Sequence, residues 1–199
     1  MKEKDVAATR FEMVKKRHFE TLKKAEEKGL VDKEMIPLCD CIAETKNYFT
    51  SSGCSGRILL LGMTDRTKKN SYFHRKWHGK TKFKDVLEAL REETKGEIWL
   101  KAESFIIHIG TNNLTNARKI LALKNKTGMK RGGIIVAKDG KFIVELIGTD
   151  EFSLPLKKRK EIIVSGEYLK EIVREANRKI ERNYRRVKEF ERVARKELE

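Results

Sequence analysis

The 199-residue chain has no glutamine, only two prolines and three cysteines, and aromatic residues at 8% of positions. Each shortage excludes something. A lack of glutamine beside abundant Lys and Glu is typical of hyperthermophile proteins, which avoid labile amides and favour charge networks. Cys39, Cys41 and Cys54 are too few for a disulfide framework or a four-thiolate zinc site. Cys39 and Cys41, two apart in an expected helix, read as small apolar residues in a reducing compartment. No run of 18 apolar residues exists, so a membrane-spanning helix is excluded. The opening residues Met1-Lys2-Glu3-Lys4-Asp5 hold no apolar signal region, and the expected location is cytoplasmic.

What the chain has in excess is positive charge, +16 overall. Its distribution carries the argument. Residues 1–50 balance 11 basic against 10 acidic groups. Residues 64–84 carry eight basic groups, among them Arg66, Lys68, Lys69, Arg75, Lys76 and Lys80, against Asp65 alone. Residues 157–199 add a further net +6. Uniform thermophile decoration would pair its lysines with glutamates, as residues 1–50 do. Local unbalanced charge suits a polyphosphate partner, because neutralising phosphates releases counterions. A solvated basic face without a partner is the bland alternative. The basic C-terminal helix lacks the broad apolar face of a membrane-surface anchor.

Periodicity predicts an amphipathic helix over 3–28, with Val6, Phe11, Val14, Phe19, Leu22 and Ala25 on one stripe and Gly29 as its stop. Asp32 is expected to cap a second helix over about 33–45. Strands are expected at 48–52 and 57–63, then a basic loop over 64–82, then a helix to Lys95. Strands 97–101 and 105–109 are expected to pair through the turn between them. A helix over about 115–127 ends at Gly128. Asp139-Gly140 marks a hairpin between 132–138 and 141–147. Strands follow around Phe152–Leu156 and Glu161–Val164, and Ser165 caps a long basic helix over 166–199. The expected fold is α+β (irregular α/β): a mixed, largely antiparallel sheet flanked by helices, in a single domain over 1–199. The turn after Ile107-His108-Ile109 lacks G-x-G-x-x-G spacing, so the fold is expected to be non-Rossmann.

Four places can carry chemistry. The turn Thr50-Ser51-Ser52-Gly53-Cys54-Ser55-Gly56-Arg57 offers hydroxyls, backbone N–H groups and a planar guanidinium; it also reads as an ordinary polar hairpin. Cys54 near a histidine would be a thiol-enzyme arrangement, but no orienting Asp or Asn is evident. His74-Arg75-Lys76-Trp77-His78 combines aromatic and cation, as base stacking requires, although Trp77 can equally pin the loop to the core. His74 and His78 have the i, i+4 spacing of helix metal ligands, without a third ligand. His108 lies at the end of an apolar strand, either a core histidine or a catalytic one. Lys130-Arg131-Gly132-Gly133 is a basic glycine turn suited to phosphate or carboxylate.

Beyond these, Asp40, Tyr48-Phe49-Thr50-Ser51-Ser52, Cys54-Ser55-Gly56-Arg57-Ile58, Trp77-His78 and Lys101-Ala102-Glu103-Ser104-Phe105-Ile106-Ile107-His108 recur as a set. So do Ala117, Leu121, Gly128, Gly133 and Ile134, then Leu154-Pro155, Tyr168-Leu169, Asn177 and Asn183. The set resembles the tRNA wybutosine-synthesizing protein 3 family, with Gly53 where a serine is more usual. The resemblance implies methyl transfer from S-adenosylmethionine to ring nitrogen N-4 of a tricyclic wyosine intermediate at position 37 of tRNA(Phe). It implies the anticodon stem-loop as partner, no metal, no membrane, and a monomer. Within it, His108 or His78 is expected as base, and Trp77 as the stacking residue. Ser52, Ser55 and Arg57 are expected to bind cofactor carboxylate, substrate side chain or phosphate. Glu103, Arg131, Gly132 and Gly133 are expected around substrate or cofactor. Arg66, Lys68, Lys69, Arg75, Lys76 and Lys80 are expected on the RNA backbone. A non-catalytic tRNA-binding module is the competing class.

Overall fold

The computed structural model describes residues 3–64 and 70–198. Chain order begins α1 (Glu3–Glu27), α2 (Ile36–Glu44), β1 (Tyr48–Cys54), β2 (Arg57–Met63), β3 (Ser71–Trp77) and α3 (Phe83–Arg91). It continues β4 (Glu97–Glu103), β5 (Ile106–Thr111), α4 (Leu114–Lys126), β6 (Arg131–Lys138), β7 (Lys141–Ile147), β8 (Phe152–Lys158), β9 (Glu161–Ile162) and α5 (Gly166–Glu197). The α+β class therefore stands, with the strands divided between two sheets, ordered β1-β5-β7-β6 and β3-β2-β4-β8-β9. Every pairing described is antiparallel. Packing also divides the chain. One compact unit takes residues up to Ser55, Phe105–Thr149 and the chain from Tyr184; the other takes Gly56–Ser104 and Asp150–Asn183.

The first unit holds the four-stranded sheet. One of its faces presents Tyr48, Ile107, Ile109, Val144 and Leu146 to a core completed by α2, α4 and Val187, Phe190 and Ala194 of α5. The other face carries Phe49 and Ile143, which pack with Phe11 of α1. Phe11 and Phe49 lie 6.0 Å apart, and the His18 ring stacks on Phe49 at 4.8 Å. The expected α1 stripe is narrower than its sequence suggests, because Val6 and Phe19 are exposed. Lys15 fills part of that face instead. Its ammonium donates to the carbonyls of Ala43, Thr45 and Tyr48, closing the end of α2, and burial lowers its pKa.

Burial, with Lys141 and Arg17 nearby, also lowers the His18 pKa below its usual 6.5. The folded state thus protonates at lower pH than the unfolded chain. As pH falls through 6.5, the unfolded state takes up the proton first and stability declines until the folded pKa is passed. Thermal midpoints are expected to drop between pH 7 and pH 5 in the native protein. His18→Phe, which keeps the stack on Phe49, should flatten that drop; an unchanged slope would assign it to other groups.

In the second unit, Ile58, Leu60, Ile98, Leu100 and Ala102 form a fully buried sheet face. Lys157 donates there to the carbonyls of Leu90 and Glu92 at the end of α3, a buried cation satisfying orphan helix acceptors. From α5, Leu169, Ile172, Val173, Ala176 and Ile180 are buried, whereas Tyr168 at the same period is exposed. Ser165 caps α5 by accepting from the Tyr168 N–H, as its sequence position suggests.

Three local expectations need correction. The basic loop over 64–82 contains strand β3, whose aromatics and Thr/Ser-poor basic residues hide the strand period. A bulge opposite Leu60 and Leu61 breaks its alternation further. Strands β4 and β5 do not pair; two residues carry the chain from one sheet to the other. The helix expected through Lys95 ends at Arg91. Arg66, Lys68 and Lys69 lie outside the described residues.

Candidate active site

In the first unit, one cross-strand row collects polar groups on the α1 side of the sheet. Ser52 of β1 stands opposite His108 of β5, His108 opposite Glu145 of β7, and Glu145 opposite Gly133 of β6. The row shares its face with Phe49 and Gly110, where α1 lies, but remains half-exposed, with His108 and Glu145 at 25% and 24%. A bulge between Thr50 and Ser52 sets the alignment of Ser52 with His108.

The side chains form one hydrogen-bonded chain. Ser52 Oγ lies 2.8 Å from His108 Nδ1, and His108 Nε2 lies 2.9 Å from Glu145 Oε2. A carboxylate only accepts, so Nε2 donates to Glu145, and Nδ1 of the neutral ring accepts from the Ser52 hydroxyl. Glu145 therefore fixes the tautomer and orients the basic nitrogen toward Ser52. Both ring nitrogens are taken, which leaves His108 no free nitrogen for Cys54. His108 is thus neither a plain core histidine nor a thiol activator.

The glycines beside this row differ in role. Gly132 has φ +115°, and a Cβ there would lie 2.1 Å from the Glu145 carbonyl oxygen, so glycine is required for β6 to lie against β7. A Cβ on Gly133 would meet nothing within 4 Å, so open space adjoins Glu145. Arg131, exposed at the start of β6, reaches the Gly148 carbonyl at 3.4 Å. Ser52 also lines a cavity of about 140 Å³ with His18, Leu22, Met35 and Cys39. Burial raises the Cys39 thiol to about 12, so it offers no nucleophile at neutral pH.

Ser55 behaves differently from Ser52. It is 1% exposed, and its N–H and hydroxyl both donate to Asp32 Oδ2, at 2.8 and 3.0 Å. Asp32 does not cap α2, although its sequence position suggests that it would; Met35 stands at the N-cap, and α2 begins at Ile36 without a side-chain cap. Tyr184 joins by a hydrogen bond to Ser55, its phenol raised to about 12 by burial and by Glu34 and Asp32. This Asp32–Ser55–Tyr184 network holds the β1–β2 turn, a role for Asp32 that its local helix-start signal conceals.

In the second unit, Arg57 of β2 faces Glu103 of β4, Nε to Oε2 at 2.6 Å, with both side chains about 30% exposed. Lys101 lies 3.5 Å from the other Glu103 oxygen. The pair presents a cation and an anion side by side, which matches the ammonium and carboxylate of an α-amino acid group. Trp77 ends β3 opposite the buried Ile58, half-buried, so it anchors the strand end. His74 accompanies β3 and bonds the Ala89 carbonyl at 2.8 Å, so its spacing to the exposed His78 is not that of helix metal ligands. Arg75 is ion-paired with Glu92 and Lys80 with Glu181, at 2.8 Å for the latter, whereas Lys76 stands over the Phe73 ring at 5.9 Å. Asn177 clamps the Thr81 backbone through both N–H and carbonyl, 2.9 Å each.

The family model described as "Methyltransferase TYW3" matches residues 13–196. The chain is 38% identical over 182 residues to "tRNA(Phe) 7-((3-amino-3-carboxypropyl)-4-demethylwyosine(37)-N(4))-methyltransferase 1" of Pyrococcus abyssi, covering 91% of this chain and 94% of that one. It is 33% identical to a "tRNA wybutosine-synthesizing protein 3 homolog" of Xenopus laevis, covering 86% of this chain and 70% of that one. The solved structure of PH1069 protein from Pyrococcus horikoshii superposes with TM-score 0.87 at 36% identity, covering 92% and 95% of the two chains. No helix among the described residues is long and apolar enough to cross a membrane.

Proposed function

The chain belongs to the TYW3 methyltransferase family, and from that premise we propose that it methylates N-4 of the wyosine-type base at position 37 of tRNA(Phe). S-adenosylmethionine is the donor in this reading, the anticodon stem-loop the contact, and the cytoplasm the location. The chain's 38% identity to an enzyme named for this reaction supports the substrate. The hydrogen-bonded row Ser52–His108–Glu145 is the observation that carries the mechanism.

Bound S-adenosylmethionine supplies a methyl group on a sulfonium, which leaves as a neutral thioether. The acceptor ring nitrogen gains a methyl and must lose a proton. Ser52 Oγ takes that proton while passing its own to His108 Nδ1, and Glu145 stabilises the resulting imidazolium. Gly133 leaves room beside this row for a planar base. Arg57 and Glu103 would hold an aminocarboxylate, by carboxylate and ammonium respectively. The donor has such a group, and so does the aminocarboxypropyl acceptor named for the relative. Ser55 acts in this reading as a support for the turn through Asp32.

Transfer of labelled methyl to tRNA carrying the demethylated intermediate tests the reading. Incorporation at that base is expected from the native protein; no incorporation removes the enzyme assignment. Arg57→Ala should weaken calorimetric S-adenosylmethionine or tRNA affinity by about tenfold or more, as loss of a charge-assisted contact requires. Unchanged affinity for both would take Arg57 out of the site. A binding-only module would take up tRNA and show no cofactor heat.

A further inference from the structure

The second face of the five-stranded sheet bears Arg57 and Glu103 and, beside them, an exposed aromatic ring that the methyl-transfer scheme does not use. Strand alternation places Leu61, Leu59 and Arg57 of β2 on this face, opposite the one bearing Ile58 and Leu60. Leu61 is flanked by Phe73 of β3 on one side and Trp99 of β4 on the other. Leu59 is flanked in the next row by Lys76 and Lys101. Phe73 and Lys76 are three residues apart and would point to opposite faces in a regular strand. The bulge between them turns both to this side and sends Arg75 to its ion pair with Glu92.

Phe73 is 58% exposed, a large apolar ring with no core to fill. Two cations border it: Arg57 Cζ lies 5.4 Å and Lys76 Nζ 5.9 Å from its centroid. Trp99 in the same row is half-buried and oriented by its indole N–H, which donates to Glu97 at 3.0 Å. An aromatic ring on a sheet face, ringed by Lys and Arg, is the arrangement by which sheets bind unpaired nucleotides. The ring offers stacking to any base, and the cations neutralise the phosphates on either side of it. A duplex cannot use it, because stacked and paired bases present no free π-face.

We propose that this face is a stacking platform for an unpaired base of the RNA substrate, centred on Phe73, with Lys76 taking a flanking phosphate. The proposal rests on the tRNA reading above but concerns a nucleotide other than the one methylated. Trp77, the stacking residue expected from sequence, lies on the opposite face of the sheet, opposite the buried Ile58.

A 17-nucleotide RNA hairpin with a seven-nucleotide loop, carrying 2-aminopurine at successive loop positions, reads stacking directly by fluorescence quenching. A blunt duplex of equal charge is the control. Phe73→Leu keeps apolar bulk and loses the π-face; it should weaken hairpin binding by about tenfold or more and abolish quenching at one loop position. Phe73→Trp should restore both, and duplex binding should be alike in all three proteins. Equal hairpin binding and quenching in Phe73→Leu overturns the platform while leaving the methyl-transfer reading intact. Failure of the native protein to bind hairpin or tRNA overturns both. Equal circular-dichroism melting of the variants separates lost stacking from lost folding.

Discussion

Replacing His108 by Asn slows methyl transfer by about 100- to 10,000-fold, the range that a positioned proton acceptor contributes. The drop should fall in kcat, with KM for tRNA and donor nearly unchanged, because His108 touches the departing proton rather than the groups that bind. Glu145→Gln keeps an oxygen for the His108 N–H, 2.9 Å away in the native protein, but removes the charge that stabilises the protonated ring. It should lose less rate than His108→Asn, since a less stabilised imidazolium is a weaker proton acceptor. Ser52→Ala interrupts the same chain at its outer end. Stability is a poor alternative explanation: a pair with each member about one-quarter exposed contributes about 1 kcal/mol or less. A His108→Asn protein that methylates at the native rate would remove the relay from the mechanism.

Gly132→Ala is expected to be strongly destabilising in the first unit. A φ of +115° costs an alanine about 1–3 kcal/mol in backbone strain. Its Cβ would also press to 2.1 Å of the Glu145 carbonyl, which only separation of β6 from β7 relieves. The combined loss should reach about 3 kcal/mol or more by urea unfolding. Gly133→Ala is its counterpart. Nothing lies within 4 Å of the new methyl, so stability should change by about 0.5 kcal/mol or less. The methyl nonetheless intrudes on the space beside Glu145, and methylation should slow while unfolding stays native. Equal unfolding curves for native protein and Gly132→Ala would contradict the β6 geometry. A fully active Gly133→Ala would mean that the space beside it is unused.

Elements with local signals were legible from residue order. Asp139-Gly140 marks the β6–β7 hairpin, because only a tight turn accepts that pair between alternating strands. Gly128 at φ +69° stops α4, and the Ser165 hydroxyl caps α5. Strand β3 was not legible, since a bulge breaks its alternation and a basic run reads as solvent-exposed coil. Nor was the parting of β4 from β5. Two residues between strands look like a hairpin, and only the sheet partners distinguish a turn from a crossing.

The candidate site divides along the same line. His108 stood out in sequence as a polar residue in an apolar strand, and Arg57 as a guanidinium at a glycine turn. Their partners carried no such mark. Glu145 is 37 residues from His108 and looks like any outward strand carboxylate until β7 aligns with β5. Asp32 looked like a helix cap, and its carboxylate turned instead to Ser55. Phe73 was one aromatic among several in a basic stretch, while the bulge chose it over Trp77 for exposure.

The sequence alone determined the α+β class, the stop of α4, the cap of α5, the β6–β7 turn and the family, since each rests on propensity, period or contiguous motif. Only the tertiary structure decided which hydroxyl meets His108, which carboxylate orients it, and which aromatic faces outward. Those choices depend on strand register across residues far apart in the chain, and a one-residue slip or a single bulge reverses every side chain it governs.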